Sequence, residues 1–340
     1  MAKTIEQIAN ALNLSITTVR LVLNGKAERY RISVKTQEKI AAYVSEHGYT
    51  VNHTARSLKL NKTETFGLVI PRLSNPFFAA LAELLEIRCR AMGYQLMISC
   101  TYGDPKYENR LVKSLEERNV DGIFVVSVDA KSQAHHVKHR SKPLVFLDRD
   151  FGVADASCVI TDNRDGGYRL TAAMLDSPMV NKTQQPIHFF VGDVGLPTIA
   201  ERLSGYVAAM AERGMERDER HLSYADHNRV EDGELMMNRY IELHGESPVN
   251  FIASSLPILE GGLSVLRERY GYIPSRLNIG TFDEHVMLSF LGNNLWSMRQ
   301  DEKGLVENAC RVMLAKLQNE VVGERFVAQA ELISRIGYGL

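Results

Sequence analysis

Several polar residues stand where strand-like apolar runs end. Ser74 and Asn75 follow the run 66–71, and Asp148 and Arg149 close the run 143–147. Ser255 ends the run 251–255, Asp283 ends 278–283, and Arg202 opens a helical stretch after Gly192-Asp193-Val194. Two carboxylates and two guanidiniums converging on one cleft suit a polyhydroxylated ligand. A carboxylate accepts two hydroxyls, while Arg donates a planar fork to oxygens or to a phosphate. Taken singly, the same residues also read as loop caps and ion pairs. As an enzyme site the set is poor: an Arg follows Asp148, and no paired general base accompanies the two carboxylates. The chain contains no P-loop, no H-E-x-x-H and no G-x-S-x-G. His135-His136-x-x-His139 has metal-ligand spacing, but Lys131, Lys138 and Arg140 around it favour an exposed basic loop or helix. No catalytic residue, metal or cofactor is expected.

The elements that must position these residues alternate. Apolar runs at 66–71, 94–100, 122–126 and 143–148 are separated by helical patterns at 78–92 and 107–118. A second series follows, with strand-like runs at 187–192, 251–255 and 278–283 and helical stretches at 168–175, 202–213 and 258–270. Such alternation predicts parallel sheets covered on both faces. Two consecutive units of similar size predict two lobes with a cleft, and ligands in such sheets sit beyond the carboxyl ends of the strands. The stretch 326–333 reads as one further strand. The helix at 78–92 carries a second apolar stripe of Phe77, Leu81 and Leu84, beyond what one sheet face needs, which predicts a subunit contact there.

The first 62 residues are different in kind. Thr4-Ile5-Glu6-Gln7 fits a capping box, and Ile5, Ile8, Ala9 and Leu12 recur at helical spacing. Ser15 caps a second helix that buries Val19, Val22 and Leu23, and Asn24-Gly25 stops it. A third helix runs from the Ser33 cap through Ile40 and Val44 to His47-Gly48. Two short helices joined by a tight turn form a helix-turn-helix. The second would leave Ile16, Thr17, Arg20 and Leu21 unused by the core, which is the face a recognition helix presents to a DNA major groove.

Charge supports that division. The whole chain carries −1, yet residues 1–62 hold ten Lys and Arg against four Glu, a net of +6, so the remainder carries −7. A basic head meets phosphates, and an acidic body is repelled by them. No apolar h-region follows Met1-Ala2-Lys3-Thr4, and no run approaches the roughly 18 apolar residues of a membrane helix. Cys89, Cys100, Cys158 and Cys310 are scattered without a C-x-x-C pair, as expected of reduced, mostly buried thiols in a cytoplasmic protein.

The motifs Ile5-x-x-Ile8-Ala9, Ser15-x-Thr17-Thr18-Val19, Asn24-Gly25, Ser33-x-x-Thr36-x-x-Lys39-Ile40, Gly48-Tyr49-x-x-Asn52 and Ala55-Arg56-x-Leu58 occur in order. Together they resemble the N-terminus of the LacI family of bacterial repressors. Leu147-Asp148-Arg149, Ala200-Glu201-Arg202-Leu203-x-Gly205-Tyr206 and Ile279-Gly280-Thr281-Phe282-Asp283 resemble effector-pocket motifs of the same family. The resemblance spans essentially the whole chain. It implies a small all-α helix-turn-helix head on a two-lobed α/β body of periplasmic-binding-protein type. The expected divisions are a head over 1–48, a hinge helix and linker over 49–62, one lobe from 63–163 with 297–325, and the other from 164–296 with 326–340. It implies DNA contacts by Thr4, Ser15, Ile16, Thr17, Thr18, Arg20, Leu21, Asn24, Arg31, Asn52, Ala55, Arg56 and Leu58. It implies effector contacts by Ser74, Asn75, Phe77, Asp148, Arg149, Arg202, Ser255, Asp283 and Gln300. The segment 24–33 is about three residues longer than the usual family link, which resembles the fructose and sucrose repressors of the family. Asn13 replaces the usual turn Gly and Arg20 a usual Ser, while Ile16 and Leu21 are apolar at base-reading positions. The operator sequence therefore does not carry over, and Arg20 reads a base or clamps a phosphate, with phosphate favoured.

The expectation is a cytoplasmic, sugar-responsive transcriptional repressor that binds a two-fold operator as a homodimer. The resemblance to the fructose and sucrose repressors implies fructose or a fructose phosphate, such as fructose 1-phosphate, as its effector. With no heptad tail before Leu340, assembly should stop at two chains. Residues 52–60 should be helical only when two chains meet on DNA, because nine residues are too few for a stable isolated helix. Leu58 would then be a wedge in a minor-groove step.

Overall fold

The computed structural model describes residues 3–49, 62–320, 323 and 325–336. The chain folds as two compact units, Met1–Glu64 and Thr65–Leu340. The hinge residues Asn52, Ala55, Arg56 and Leu58 lie outside the described residues.

In the first unit, α1 (Ile5–Leu12), α2 (Ile16–Leu23) and α3 (Val34–His47) enclose one small core of Ile8, Ala9, Leu12, Val19 and Ile40. Local chemistry sets every boundary. Thr4 and Gln7 exchange backbone and side-chain hydrogen bonds as a capping box. Asn13 ends α1 in the left-handed region at φ 52°, a conformation Asn tolerates almost as Gly does. Ser15 and Ser33 cap α2 and α3 by accepting from the N–H of Thr18 and Thr36. Lys39 donates to the Leu12 carbonyl at 3.0 Å and so closes the free end of α1.

The second unit begins with β1 (Thr65–Ile70), α4 (Pro76–Ala91), β2 (Gln95–Cys100), α5 (Pro105–Glu117), β3 (Gly122–Val125), α6 (Ala130–His139), β4 (Leu144–Leu147) and β5 (Cys158–Thr161). The chain then crosses into a second lobe. There follow α7 (Asn163–Leu175), the single turn α8 (Pro178–Asn181), β6 (Ile187–Gly192), α9 (Pro197–Ala211), β7 (Leu222–Tyr224) and α10 (Val230–His244). β8 (Asn250–Ala253), α11 (Leu256–Tyr270), β9 (Asn278–Phe282) and β10 (Asn294–Arg299) complete that pass. The chain returns as α12 (Glu302–Leu317) and β11 (Arg325–Ala328), then crosses again as β12 (Glu331–Arg335). The strand orders are β11-β5-β4-β3-β1-β2 and β12-β10-β9-β8-β6-β7. All pairings are parallel except β10 with β12. The two sheets therefore repeat one strand order, differing in the direction of the last edge strand, and positions in one lobe have counterparts in the other.

Three expectations change. All of β10 belongs to the second sheet, so the return crossing falls after Arg299 rather than between 296 and 297. The stretch 326–333 is two strands, not one: β11 pairs with β5 in the first lobe and β12 with β10 in the second. The crossing lies at Gln329-Ala330, where no Gly or Pro signals a break, and hydrogen-bond partners far away in sequence decide it. The stripe Phe77, Leu81 and Leu84 is not exposed. Phe77 and Leu81 are buried, and Leu84 packs against the same core, because α12 covers the second face of α4 with Leu305, Val306, Ala309, Cys310 and Met313. All four cysteines are free thiols; Cys89, Cys158 and Cys310 are buried.

Candidate functional site

On the head, Val19 faces inward, and Val22 and Leu23 pack partly against the core. Ile16, Thr17, Ser15 and Asn24 are exposed, while Thr18, Arg20 and Leu21 are partly exposed outside the core cluster. Thr4 lies at the cap of α1, and Arg31 is exposed at φ 54° in the extended α2–α3 link. One side of α2 is thus left to solvent, with a hydroxyl, a guanidinium and two branched apolar side chains on it.

In the body, a cavity of about 350 Å³ opens at the carboxyl ends of the strands. Ser74, Asn75, Phe77, Asp148, Arg149, Arg202, Ser255, Asp283 and Gln300 all line it. Asp148 and Asp283 occupy equivalent places. Each follows the third strand of its sheet, β4 or β9, and each has a left-handed backbone, at φ 64° and 70°. Each donates its N–H to the neighbouring strand, Asp148 to the Val159 carbonyl and Asp283 to the Met298 carbonyl, both at 3.0 Å. Strained backbone held by a tight hydrogen-bond frame is a device for aiming a side chain.

Around Asp283 the site is fully built. Gln300 Nε2 donates to Asp283 Oδ1 at 2.6 Å, and Thr161 Oγ1 donates to Gln300 Oε1 at 2.6 Å. Arg202 Nη2 is 3.9 Å from Asp283 Oδ1. Arg202 Nε donates to Asn163 Oδ1 at 2.8 Å and Nη1 to the Ser254 carbonyl at 2.7 Å. Thr161, Asn163 and Gln300 stand on or beside the segments that cross between lobes. Arg202 does not open its helix: α9 starts at Pro197 and places it in the second turn. Its depth is set by Gly167 and Gly205. A Cβ at Gly167 would collide with the Arg202 backbone, and one at Gly205 with the backbone of Arg164 and Tyr168, so α9 and α7 touch main chain to main chain.

Around Asp148 the site is open. The nearest cation is Arg149, whose Nε lies 3.7 Å from Asp148 Oδ2. Burial pushes the Asp148 carboxyl up to about 6, against the pull of Arg149 and Arg202. Burial also lowers the Arg149 guanidinium from its usual value. Arg149 Nη1 donates to the Ser127 carbonyl at 3.0 Å, but its Nε has no hydrogen-bond partner. Ser255 Oγ and both polar atoms of the Asn228 carboxamide are likewise buried without partners. Orphaned buried polar atoms on both lobes of the cavity, Arg149 on the first and Ser255 and Asn228 on the second, mark places for ligand groups.

Sequence reasoning did not single out Arg72, Asp193, Asn228, Arg229, Glu231 or Glu260, which also line the cavity. Asn228 and Arg229 follow β7, three residues long, too short to read as a strand whose end could be located. Gly192, at φ 78°, was the available signal, since a Cβ there would collide with Asn228. The histidine cluster departs from expectation. His135 and His139 are exposed on α6, but His136 is buried and its Nε2 lies 2.9 Å from Glu108 Oε1. Among the described residues no group of three or more ligands could hold a metal. No helix among them is long and apolar enough to cross a membrane.

A helix-turn-helix head on a two-lobed body with a polar cavity defines a class, the ligand-responsive DNA-binding regulators. A model of bacterial regulatory proteins of the lacI family matches residues 4–52. A model of periplasmic binding proteins and the sugar binding domain of the LacI family matches 63–286. The fructose operon regulatory protein of Vibrio cholerae is 31% identical over 98% of both chains. The Cra transcriptional dual regulator of Pseudomonas putida, solved with fructose 1-phosphate, is 25% identical with a TM-score of 0.71, covering 81% of this chain and 99% of that one. The Lac repressor dimer bound to operator and an anti-inducer shares the fold at TM-score 0.82 and 18% identity, over 98% of both chains. The chain belongs to the LacI family and is a sugar-responsive transcriptional regulator. Neither family model describes an enzyme.

Proposed function

We propose that this chain is a cytoplasmic, homodimeric repressor of fructose or sucrose utilisation genes, released from its operator by fructose or a fructose phosphate. The observation that carries the reading is the convergence of Asp148, Arg149, Arg202 and Asp283, all buried, on one cavity. The relatives named for fructose regulation support the sugar class. The cavity wall carries five carboxylates (Asp148, Asp193, Glu231, Glu260, Asp283) against four guanidiniums (Arg72, Arg149, Arg202, Arg229), a balance that favours an uncharged sugar over a phosphate dianion. A second reading, a global regulator answering to fructose 1-phosphate, is supported by the likeness to the Pseudomonas putida protein.

Operator contacts are assigned to Thr4, Ser15, Ile16, Thr17, Thr18, Arg20, Leu21, Asn24 and Arg31, with Asn52, Ala55, Arg56 and the Leu58 wedge on the hinge. The dimer contact is assigned to the exposed apolar turn with Val286, Met287 and Phe290, in place of the buried α4 stripe. The mechanism is a population shift. Effector in the cavity favours one lobe arrangement and lowers operator affinity by the same factor that operator lowers effector affinity. The test is titration of fructose and of fructose 1-phosphate into a fluorescent operator complex of the full chain. Release by either supports the reading and separates its two forms. An operator that neither sugar releases overturns it, and a chain that binds sugar but no operator is a sugar-binding protein with a basic head.

A further inference from the structure

Glu108 and His136 form a pair with no place in the effector site as described. Neither lines the cavity, and both are buried, Glu108 at 0% exposure and His136 at 3%. A carboxylate sealed from water is costly unless hydrogen bonds and opposite charge compensate it. Glu108 Oε1 lies 2.9 Å from His136 Nε2, and a carboxylate only accepts, so that nitrogen donates. Glu108 Oε2 accepts the N–H of Val128 at 2.5 Å. The carbonyl of that same peptide unit, Ser127 C=O, accepts Arg149 Nη1 at 3.0 Å. One peptide plane is therefore held between a buried carboxylate and a buried guanidinium, its N–H turned to the acid and its oxygen to the Arg.

We propose that Glu108 and His136 are positioning residues for the effector site, holding the Arg149 guanidinium in the cavity wall through the Ser127–Val128 peptide. Among the described residues Ser127 supplies the one hydrogen-bond acceptor of the Arg149 side chain, so the peptide's orientation decides where the Nε, 3.7 Å from Asp148 and without a hydrogen bond, points. Helix α6 holds the main chain of Arg149 as well. Gln133 Nε2 donates to the Arg149 carbonyl at 3.2 Å, and Gln133 Oε1 accepts the Phe151 N–H at 3.1 Å. Gln133 and His136, on one buried face of α6, thus back the Arg149 site, the first directly and the second through Glu108. The Glu108 charge also favours the charged form of Arg149. A lone tie between α5 and α6 would need only the Glu108–His136 contact; the peptide bridge is what reaches the cavity.

The proposal rests on the effector reading above. Its test uses the full chain and calorimetric titration with fructose and with fructose 1-phosphate. Glu108→Gln keeps the shape and removes the charge, and should weaken effector binding by roughly tenfold while operator affinity without effector stays at the parent value. His136→Gln should weaken it less. In an Arg149→Ala background neither substitution should weaken binding further, because the group they position is gone. A merely structural role predicts losses that add in full, and that additivity overturns the proposal. So does parental effector affinity in Glu108→Gln. If Glu108→Gln fails to unfold cooperatively, His136→Gln with and without Arg149→Ala decides by the same criterion. A parent chain that binds neither sugar overturns the effector reading, and the positioning role falls with it.

Discussion

Asp148 and Asp283 stand at the same place in two sheets of the same strand order, yet they are held differently. Asp283 receives Gln300 at 2.6 Å and faces an Arg202 already fixed by Asn163 and the Ser254 carbonyl. Asp148 has Arg149 Nε at 3.7 Å and a carboxyl raised to about 6. The second-lobe pair is pre-oriented and tied to the crossing segments through Thr161, Asn163 and Gln300. The first-lobe pair leaves polar atoms open and is braced from behind by α6. In the proposed effector cleft Asp283 and Arg202 are oriented by bonds within the protein, whereas Arg149 Nε on the first lobe and Ser255 Oγ and the Asn228 carboxamide on the second are left for ligand groups.

If the second-lobe pair is the reader, removing it should have the largest effect. Arg202→Ala leaves Asp283 buried beside Gln300 without its cation, a truncation that typically costs about 2–5 kcal/mol of binding. The expected outcome is loss of the sugar response with operator binding intact, and Asp283→Ala should behave alike. An operator titration in which Arg202→Ala releases DNA at parental sugar concentration would break the comparison.

The next effect concerns packing. The second lobe sets α7 against α9 through Gly167 and Gly205, whereas the first sets α4 against α12 through Leu81, Leu85, Cys89, Cys310 and Met313. A methyl has backbone to displace in the former case only. Gly205→Ala should destabilise the body by about 1–3 kcal/mol, and it should weaken the sugar response by shifting Arg202. Denaturant unfolding of Gly205→Ala beside Cys310→Ala measures the contrast; equal, small losses would remove it.

A comparable or smaller effect, of opposite sign, belongs to Asp148. Its folded carboxyl binds a proton more tightly than the unfolded chain's, so its contribution to stability is fully present below the ordinary carboxylate range. That contribution is lost as pH rises through about 6. Asp148→Asn mimics the protonated form. It should stabilise the ligand-free protein by on the order of 1–3 kcal/mol at pH 7.5, with the gap closing toward pH 4. A gap independent of pH would show that burial of the charge is not the cause. The smallest effect on folding lies at the surface. Phe290 is 72% exposed, so Phe290→Asp should change unfolding by no more than about 0.5 kcal/mol. Sedimentation should nevertheless move toward the monomer, and an unchanged dimer would send the contact elsewhere.

Legibility followed how local each determinant is. The head was readable residue by residue, because Thr4, Asn13, Ser15, Ser33 and Gly48 set its boundaries through bonds within four or five positions. The central strands were readable as short apolar runs closed by Pro71, Asp148 or Asp283. The edge strand β7 was not, with only Leu222 buried among its three residues. Nor was α12, whose burial depends on α4 rather than on a single periodic face. Glu108 looked like an ordinary charged residue of a helix surface. Nothing in its neighbourhood in sequence reveals that His136 and Val128, 28 and 20 positions away, enclose it.

The sequence by itself determined the two kinds of unit, the capped helices of the head, the alternation of the body and the polar residues at strand ends. Each of these is a matter of period, cap and turn, fixed by contacts within a few residues along the chain. Only the tertiary structure decided which lobe β10, β11 and β12 join, that Asp148 and Asp283 are counterparts, and that Arg202 is held by Asn163 and the Ser254 carbonyl. It alone decided that a peptide plane links Glu108 to Arg149. Those are pairings across about 16 to 167 positions, chosen by which hydrogen-bonding groups are left to satisfy once the apolar faces have closed, and burial enforces that choice because an unpaired polar group there costs about 1–3 kcal/mol.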